Sequence, residues 1–327
     1  MPPRLSIIIP TYRRPFTLLE CLKRIEQQTV ASEIEVIVVS DGHDDKTARL
    51  FVKQEVQAIS DPTSPRLRGA GQRSAISSEW KVPARYFEIS KSQQGVARNE
   101  GVKHAQGEYV LFIGDDTFLE PDACEKHLKA HHPHPAHSVR TPPPAAPQSP
   151  GEGLGEGAVL GFTTWDPTVH ITPVMRWLEK SGWQFGYPKI SQYSGQMIPE
   201  KIQHQFTYTI HISLPLSVAQ KLPFRTDVHL YGWEDIEWGM RLKKAGVRLF
   251  YEPNAKALHH HHLTLEDSLK RMEILGRSAV EFQKMIPGFD RVPTGWKLLA
   301  YKIAALFPSM AGRHRRAFLT GILGNVI

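Results

Sequence analysis

Residues 107–122 read GEYVLFIGDDTFLEPD, an apolar run that ends abruptly in two adjacent carboxylates. Tyr109, Val110, Leu111, Phe112 and Ile113 are β-branched, aromatic and aliphatic without alternation, the pattern of a strand buried on both faces of a parallel sheet. Gly114 ends the run, so Asp115 and Asp116 fall beyond the carboxyl end of the strand, the edge of an open α/β sheet where ligand crevices form. Two neighbouring carboxylates repel each other unless a cation lies between them or one takes up a proton, which makes a divalent metal an economical occupant. A solvated Asp-Asp turn is the plainer alternative.

The segments before this stretch repeat its design. Residues 5–9, LSIII, form a first buried strand leading into the loop PTYRRP, and leucines at helical spacing predict a helix over 16–28. Residues 34–39, IEVIVV, form a second strand that ends in SDG, which brings Asp41 to the same sheet edge. A helix over 46–59 completes a right-handed strand-helix-strand unit. Residues 61–81 read as a surface excursion, and its GAGQRS follows no strand and is discounted as a dinucleotide loop. A short strand at 86–89 precedes a helical segment carrying Arg98, whose planar fork suits phosphate, although a surface ion pair is the commoner fate of an arginine.

Downstream, PDACEKHLKAH reads as a helix leading away from the carboxylates. Residues 132–157, rich in Pro, Gly and His, read as an insert without a core of its own. Strands are expected at 158–164, 206–213 and 247–252. A second acidic pair, Glu234-Asp235, opens a helix in YGWEDIEWGMRLKKAG, where an acid is also the ordinary residue of a helix start. Residues 253–258 lead to four consecutive histidines, His259 to His262; on an extended segment His259 and His261 share one face and His260 and His262 the other. A helix is expected over 265–286. The tail 294–327 mixes Trp296, Leu299, Ile303, Leu306 and Phe307 with Arg313, Arg315 and Arg316, which fits a helix packed on the rest of the chain or, as a second reading, peripheral contact with an anionic inner membrane surface.

The chain has 327 residues, 41% hydrophobic and 22% charged, ordinary values for a soluble globular protein, with a formal net charge of +7. Cys21 and Cys124 are the only cysteines and both fall in helix-like segments, so a disulfide framework is not expected. The first apolar run is too short for a secretory signal or a span, and a cytoplasmic setting is the expectation. Lys and Arg are scattered rather than grouped as a nucleic-acid footprint would be, so no nucleic-acid partner is expected.

PTYRR after the first strand, SDG after the second and GDD after the central one, together with QQGVARNEGVKHAQGEYVLFIGDD and YGWEDIEWGMRL, resemble glycosyltransferase family 2 over residues 5–262. The resemblance implies the GT-A fold, a Rossmann-like, mostly parallel α/β sheet flanked by helices. Residues 1–263 would form the catalytic domain and 264–327 a C-terminal helical extension. It further implies that Pro10, Thr11, Tyr12, Arg14 and Asp41 hold the nucleotide and that Asp115 and Asp116 hold the sugar-diphosphate through Mg or Mn. Arg98 would neutralise the leaving diphosphate, and His259 would complete the metal shell. Asp235, with Glu234 beside it, would be the general base, and Trp233 would border the acceptor, a glycan or lipid-linked hydroxyl attacked with inversion. Two positions depart from the family's pattern: Gly114 stands where the first Asp of Asp-x-Asp is usual, and Arg13 where Asn is common. The first departure keeps a second class open, a catalytically inactive nucleotide-sugar-binding or interaction protein.

Overall fold

The computed structural model describes residues 2–51, 80–131, 157–227 and 231–324. The surface excursion with GAGQRS, the insert after His131 and most of the helix expected at 46–59 lie outside these residues. Of that helix a single turn, α2 (Asp45–Ala48), is described.

Four parallel strands form one half of the sheet: β1 (Leu5–Thr11), β2 (Ile34–Asp41), β3 (Ala84–Ile89) and β4 (Tyr109–Ile113), in spatial order β3-β2-β1-β4. Their unbroken apolar runs are explained by burial on both sides. Leu5, Ile7 and Ile9 face one core with Leu18, Leu22 and Ile25 of α1 (Pro15–Glu26), whereas Ile8, Val39 and Phe112 face the other with Ala97 and Val102 of α3 (Gln94–His104). Pro10 belongs to β1, buried and in register with Val39, so the first loop begins only at Tyr12 rather than at Pro10.

Beyond β4 the sheet becomes mixed. The carboxylate turn leads into β5 (Thr117–Leu119) and α4 (Ala123–His131); then come β6 (Ala158–Trp165), β7 (Gln196–Met197), β8 (His211–Pro215) and β9 (Leu249–His259). β8 is antiparallel to both β4 and β6, while β6 and β9 run parallel. Two expectations are corrected. The strand expected at 206–213 is β8 at His211–Pro215; the alternation of FTYTIHIS belongs instead to turns whose Thr207 and Thr209 serve the site below. The strand expected at 247–252 and the connector at 253–258 are instead one long strand, β9 at Leu249–His259: the register jumps from Gly161↔Glu252 to Phe162↔Lys256, a bulge over Pro253, which has no N–H to give a ladder.

α5 (Pro173–Ser181), α6 (Tyr187–Ile190), α7 (Glu200–Gln203), α8 (Leu216–Lys221) and α9 (Glu234–Lys244) cover this half. α10 (Leu265–Met285), α11 (Gly295–Ala305) and α12 (Met310–Leu323) follow. α10 and α12 approach backbone to backbone, a Cβ on Gly321 falling 2.0 Å from the Glu273 carbonyl, so that crossing requires glycine. Among the described residues no helix is long and apolar enough to cross a membrane.

Candidate functional site

The carboxyl ends of β1, β2, β4, β6 and β9 and the amino end of β8 meet at one edge, since β8 pairs antiparallel with β4 through Ile113↔His211. Asp115 and Asp116 occupy the turn after β4 and are 6% and 9% exposed. The cation between them is an arginine: Arg14 Nη1 donates to Asp115 Oδ1 at 3.0 Å and to Asp116 Oδ2 at 2.7 Å, and Thr11 Oγ1 donates to Asp115 Oδ2 at 2.7 Å. Like-charge repulsion therefore does not by itself require a metal here. Burial and the neighbouring Asp116 charge push the Asp115 carboxyl up to about 6 against the pull of Arg14 and Thr11. Burial also works against the charge on Asp116, but the imidazoles of His259 and His261 and the Arg14 guanidinium outweigh it and hold that carboxyl well below the usual range.

Gly114 has a steric reason, for a Cβ there would stand 2.8 Å from Asp116 Oδ1. An Asp at 114 would press on the carboxylate that the histidines and Arg14 share. Arg13 has φ 55°, the left-handed region that Asn tolerates better than a long side chain.

β9 delivers the histidines. His259 Nε2 lies 3.6 Å from Asp116 Oδ1 and His261 Nδ1 lies 3.7 Å from Asp116 Oδ2. The three donor atoms fall within 4.8 Å of one another. These separations are too long for hydrogen bonds and fit ligands that share one ion at about 2.1 Å each. With one carboxylate and two imidazoles the donor set suits Mn, the softer of the two ions, better than Mg. The donor set therefore fits a divalent metal, with Arg14 as a neighbouring charge that such an ion would have to share Asp116 with. His260 turns the other way: its Nδ1 lies 2.7 Å from Oδ2 of the buried Asp166, and its backbone N–H donates to the Asp116 carbonyl. Asp166, which also accepts from Thr168 N–H, was not read from the sequence; a lone Asp after a strand carries no signal until its partner is seen. Trp165 and His261 stack on His259, at ring separations of 5.2 and 5.4 Å, and hold its plane.

The nucleotide-side residues form a neighbouring cluster. Asp41 accepts from Lys91 Nζ and from Ser92 N–H, and the Lys91 ammonium lies 4.1 Å from the centre of the Tyr12 ring. Tyr12 is exposed, whereas Thr11 is committed to Asp115.

The second acidic pair starts α9. Thr209, two residues before β8, holds Asp235 through its hydroxyl at 2.7 Å and its N–H at 3.2 Å. Glu234 accepts from Gly232 N–H and from Gln94 of α3. Burial and the adjacent Glu234 charge push Asp235 up to about 6, against the pull of Arg98 and Thr209. Arg98 departs from the expectation. It is 1% exposed and pairs with neither Asp115 nor Asp116; its Nη2 approaches the Thr209 carbonyl at 3.5 Å, and among the described residues its buried Nε and Nη1 have no hydrogen-bond partner. Its charged neighbours are Asp235 and Glu234. Trp233 is also reassigned by its contacts: Nε1 donates to the Leu275 carbonyl and the ring meets Phe289 and Phe318 edge-on, so it packs the acidic segment onto α10 and α12. An aromatic cavity of about 320 Å³, walled by Phe162, Trp165, Phe185, Tyr187 and Tyr251, adjoins His259 through Trp165 and Phe185.

Residues 6–66 and 72–154 match the family model described as Glycosyl transferase family 2. The chain is 29% identical over 130 residues to EpsH of Bacillus subtilis (strain 168), a protein named as a glycosyltransferase, covering 39% of this chain and 30% of that one. It thus spans less than a third of that relative. It is 21% identical over 269 residues, 82% of this chain and 70% of the other, to the dolichyl N-acetyl-alpha-D-glucosaminyl phosphate 3-beta-D-2,3-diacetamido-2,3-dideoxy-beta-D-glucuronosyltransferase of Methanococcus voltae. Among solved structures it resembles the mannosyltransferase PcManGT of Pyrobaculum calidifontis in complex with GDP-Man and Mn2+, with a TM-score of 0.55 and 13% identity over 100% of this chain and 88% of that one, a likeness of fold. The sheet edge, the acidic turn and these matches agree in likening the chain to glycosyltransferase family 2, whose model covers residues 6–66 and 72–154.

Proposed function

We propose that the protein transfers a sugar from a nucleotide-diphosphate-sugar to an acceptor hydroxyl with inversion, Asp235 acting as general base. The observation that carries this reading is the contrast at one sheet edge between Asp116, held ionised among His259, His261 and Arg14, and Asp235, whose carboxylate is raised to about 6 and so is basic enough to take a proton. In the reaction the acceptor oxygen attacks the anomeric carbon, its proton passes to Asp235, and the bond to the diphosphate oxygen breaks. Tyr12 and Asp41 bind the nucleoside, and Thr11 and Asp115 keep the first loop against the acidic turn. Arg14 replaces Arg98 as the arginine facing the departing charge, and the buried Arg98 positions Asp235 and favours its ionised form. Asp116, His259 and His261 would hold Mn or Mg, which when bound supplies charge neutralisation for the diphosphate.

The aromatic cavity beside His259 suits a sugar face of the acceptor better than Trp233 does. The Methanococcus voltae relative is named for transfer to a dolichyl-linked sugar phosphate, which supports a glycan or lipid-linked acceptor here and, with it, contact of the C-terminal helices with a membrane surface. The test is to incubate the protein with a panel of nucleotide-sugars and Mn and to measure nucleotide release. Release from one donor, stimulated by an acceptor, is expected. Binding without release would establish the nucleotide-sugar-binding protein instead.

A further inference from the structure

α11 presents its apolar side to solvent. Trp296 is 76% exposed, Leu299 61% and Ile303 51%, and Leu306 and Phe307 extend the row at 76% and 61%. These positions recur at helical spacing and form one stripe, while Leu298, Tyr301 and Ala305 on the opposite side turn inward. At about 100° per residue, Lys297 lies on one flank of the stripe and Lys302 on the other. Both are exposed, and among the described residues neither they nor Arg313 form an ion pair.

Residues 291–327 contain six cationic side chains and no Asp or Glu, against a net charge of +7 for the whole chain. The other cations of the group are committed. Arg291 lies beside Asp290, the Arg315 guanidinium lies over Trp183 and Tyr301, and Arg316 donates to the Ala305 carbonyl at the end of α11. Two arginines of the basic cluster are thus structural, and the face offered outward is the α11 stripe flanked by Lys297 and Lys302, with Arg313 exposed on α12.

We infer that this stripe docks on an anionic lipid bilayer, its apolar row entering the headgroup boundary and its flanking lysines meeting lipid phosphates. The charge argues for lipid over a second copy of the chain, since a symmetric dimer through α11 would bring like charges together with no carboxylate from residues 291–324 to answer them. Tyr301 on the inner side of α11 packs on Phe318, and Phe318 packs on Trp233, which precedes Glu234-Asp235. Docking would therefore fix the bilayer relative to the proposed base. This rests on the transfer reading for its purpose alone, because binding to vesicles is measurable without catalysis.

The experiment is flotation of the full chain with vesicles of phosphatidylcholine alone or mixed with phosphatidylglycerol. Nucleotide release from the donor is measured in parallel without vesicles, and the oligomeric state by sedimentation. The wild type floats with the mixed vesicles, and raised salt weakens it; Leu299→Ser with Ile303→Ser stays at the bottom, and Lys297→Glu with Lys302→Glu loses at least about tenfold in partitioning. Both variants keep their melting temperature and nucleotide release. Docking is overturned if the wild type fails to float with mixed vesicles, floats equally with neutral ones, or is matched by either variant. It is also overturned if the wild type is a dimer that the serine variant dissolves. Flotation without nucleotide release from any donor overturns the transfer reading and leaves docking standing.

Discussion

The acidic pairs Asp115-Asp116 and Glu234-Asp235 look alike in sequence and sit at the same sheet edge, yet their surroundings drive them toward different chemistry. Around the first pair stand Arg14, His259 and His261, so one carboxylate remains charged well into acid. Around the second, the cation that acts on Asp235 among the described residues is Arg98, itself buried, and the hydroxyl and N–H of Thr209 do not fully offset the cost of burial. A charged carboxylate among cations and imidazoles can hold a metal and a phosphate; a carboxylate short of donors can accept a proton. The assignment of roles rests on neighbours distant in sequence, not on the pairs themselves.

The comparison can be broken from either side. Asp235→Asn keeps the shape and removes the proton acceptor, so turnover should fall by about a thousandfold while donor affinity stays unchanged. A variant that transfers at a tenth of the wild-type rate would put the base elsewhere. Asp116→Asn acts on the other pair. It should lower transfer by about a hundredfold and remove the Mn dependence of donor binding measured by calorimetry. Donor binding that still strengthens with Mn would remove Asp116 from the metal site.

Smaller effects sharpen the picture. His259→Ala and His261→Ala should each raise the Mn concentration needed for half-maximal rate by about tenfold, whereas His260→Ala, whose imidazole faces Asp166, should leave it unchanged. Titrations in which His260→Ala shifts the requirement most would reverse the facing of the histidine run. The least effect is expected at Arg13→Asn, which relieves a left-handed backbone at the edge of the first pair; denaturant unfolding should show a gain of up to about 1 kcal/mol with no change in Mn dependence.

The parallel half of the fold was legible because strands buried on both faces leave continuous apolar runs, as in LSIII, IEVIVV and YVLFI. The mixed half was less so. β9 hides behind Pro253, and the turns carrying Thr207 and Thr209 alternate like a strand. At the site, the facing of His259 with His261 followed from strand periodicity. What period and motif cannot give is which long side chain reaches which carboxylate. Arg14 rather than Arg98 meets Asp115 and Asp116, Asp166 takes His260, and Trp233 turns into the α10–α12 core.

The most direct test of the division between the two pairs is the pH dependence of kcat/KM for the wild type and for Thr209→Val. A general base works only when ionised, so with Asp235 raised to about 6 the rate should climb through an acid limb centred near pH 6 and level off above it. The Thr209 hydroxyl bonds the ionised form and pulls that value down; its loss should move the limb up by about one pH unit. Because that hydroxyl donates to Asp235 and not to Asp115, whose carboxyl burial also pushes up to about 6, an acid limb that stays in place in Thr209→Val would contradict Asp235 as the base.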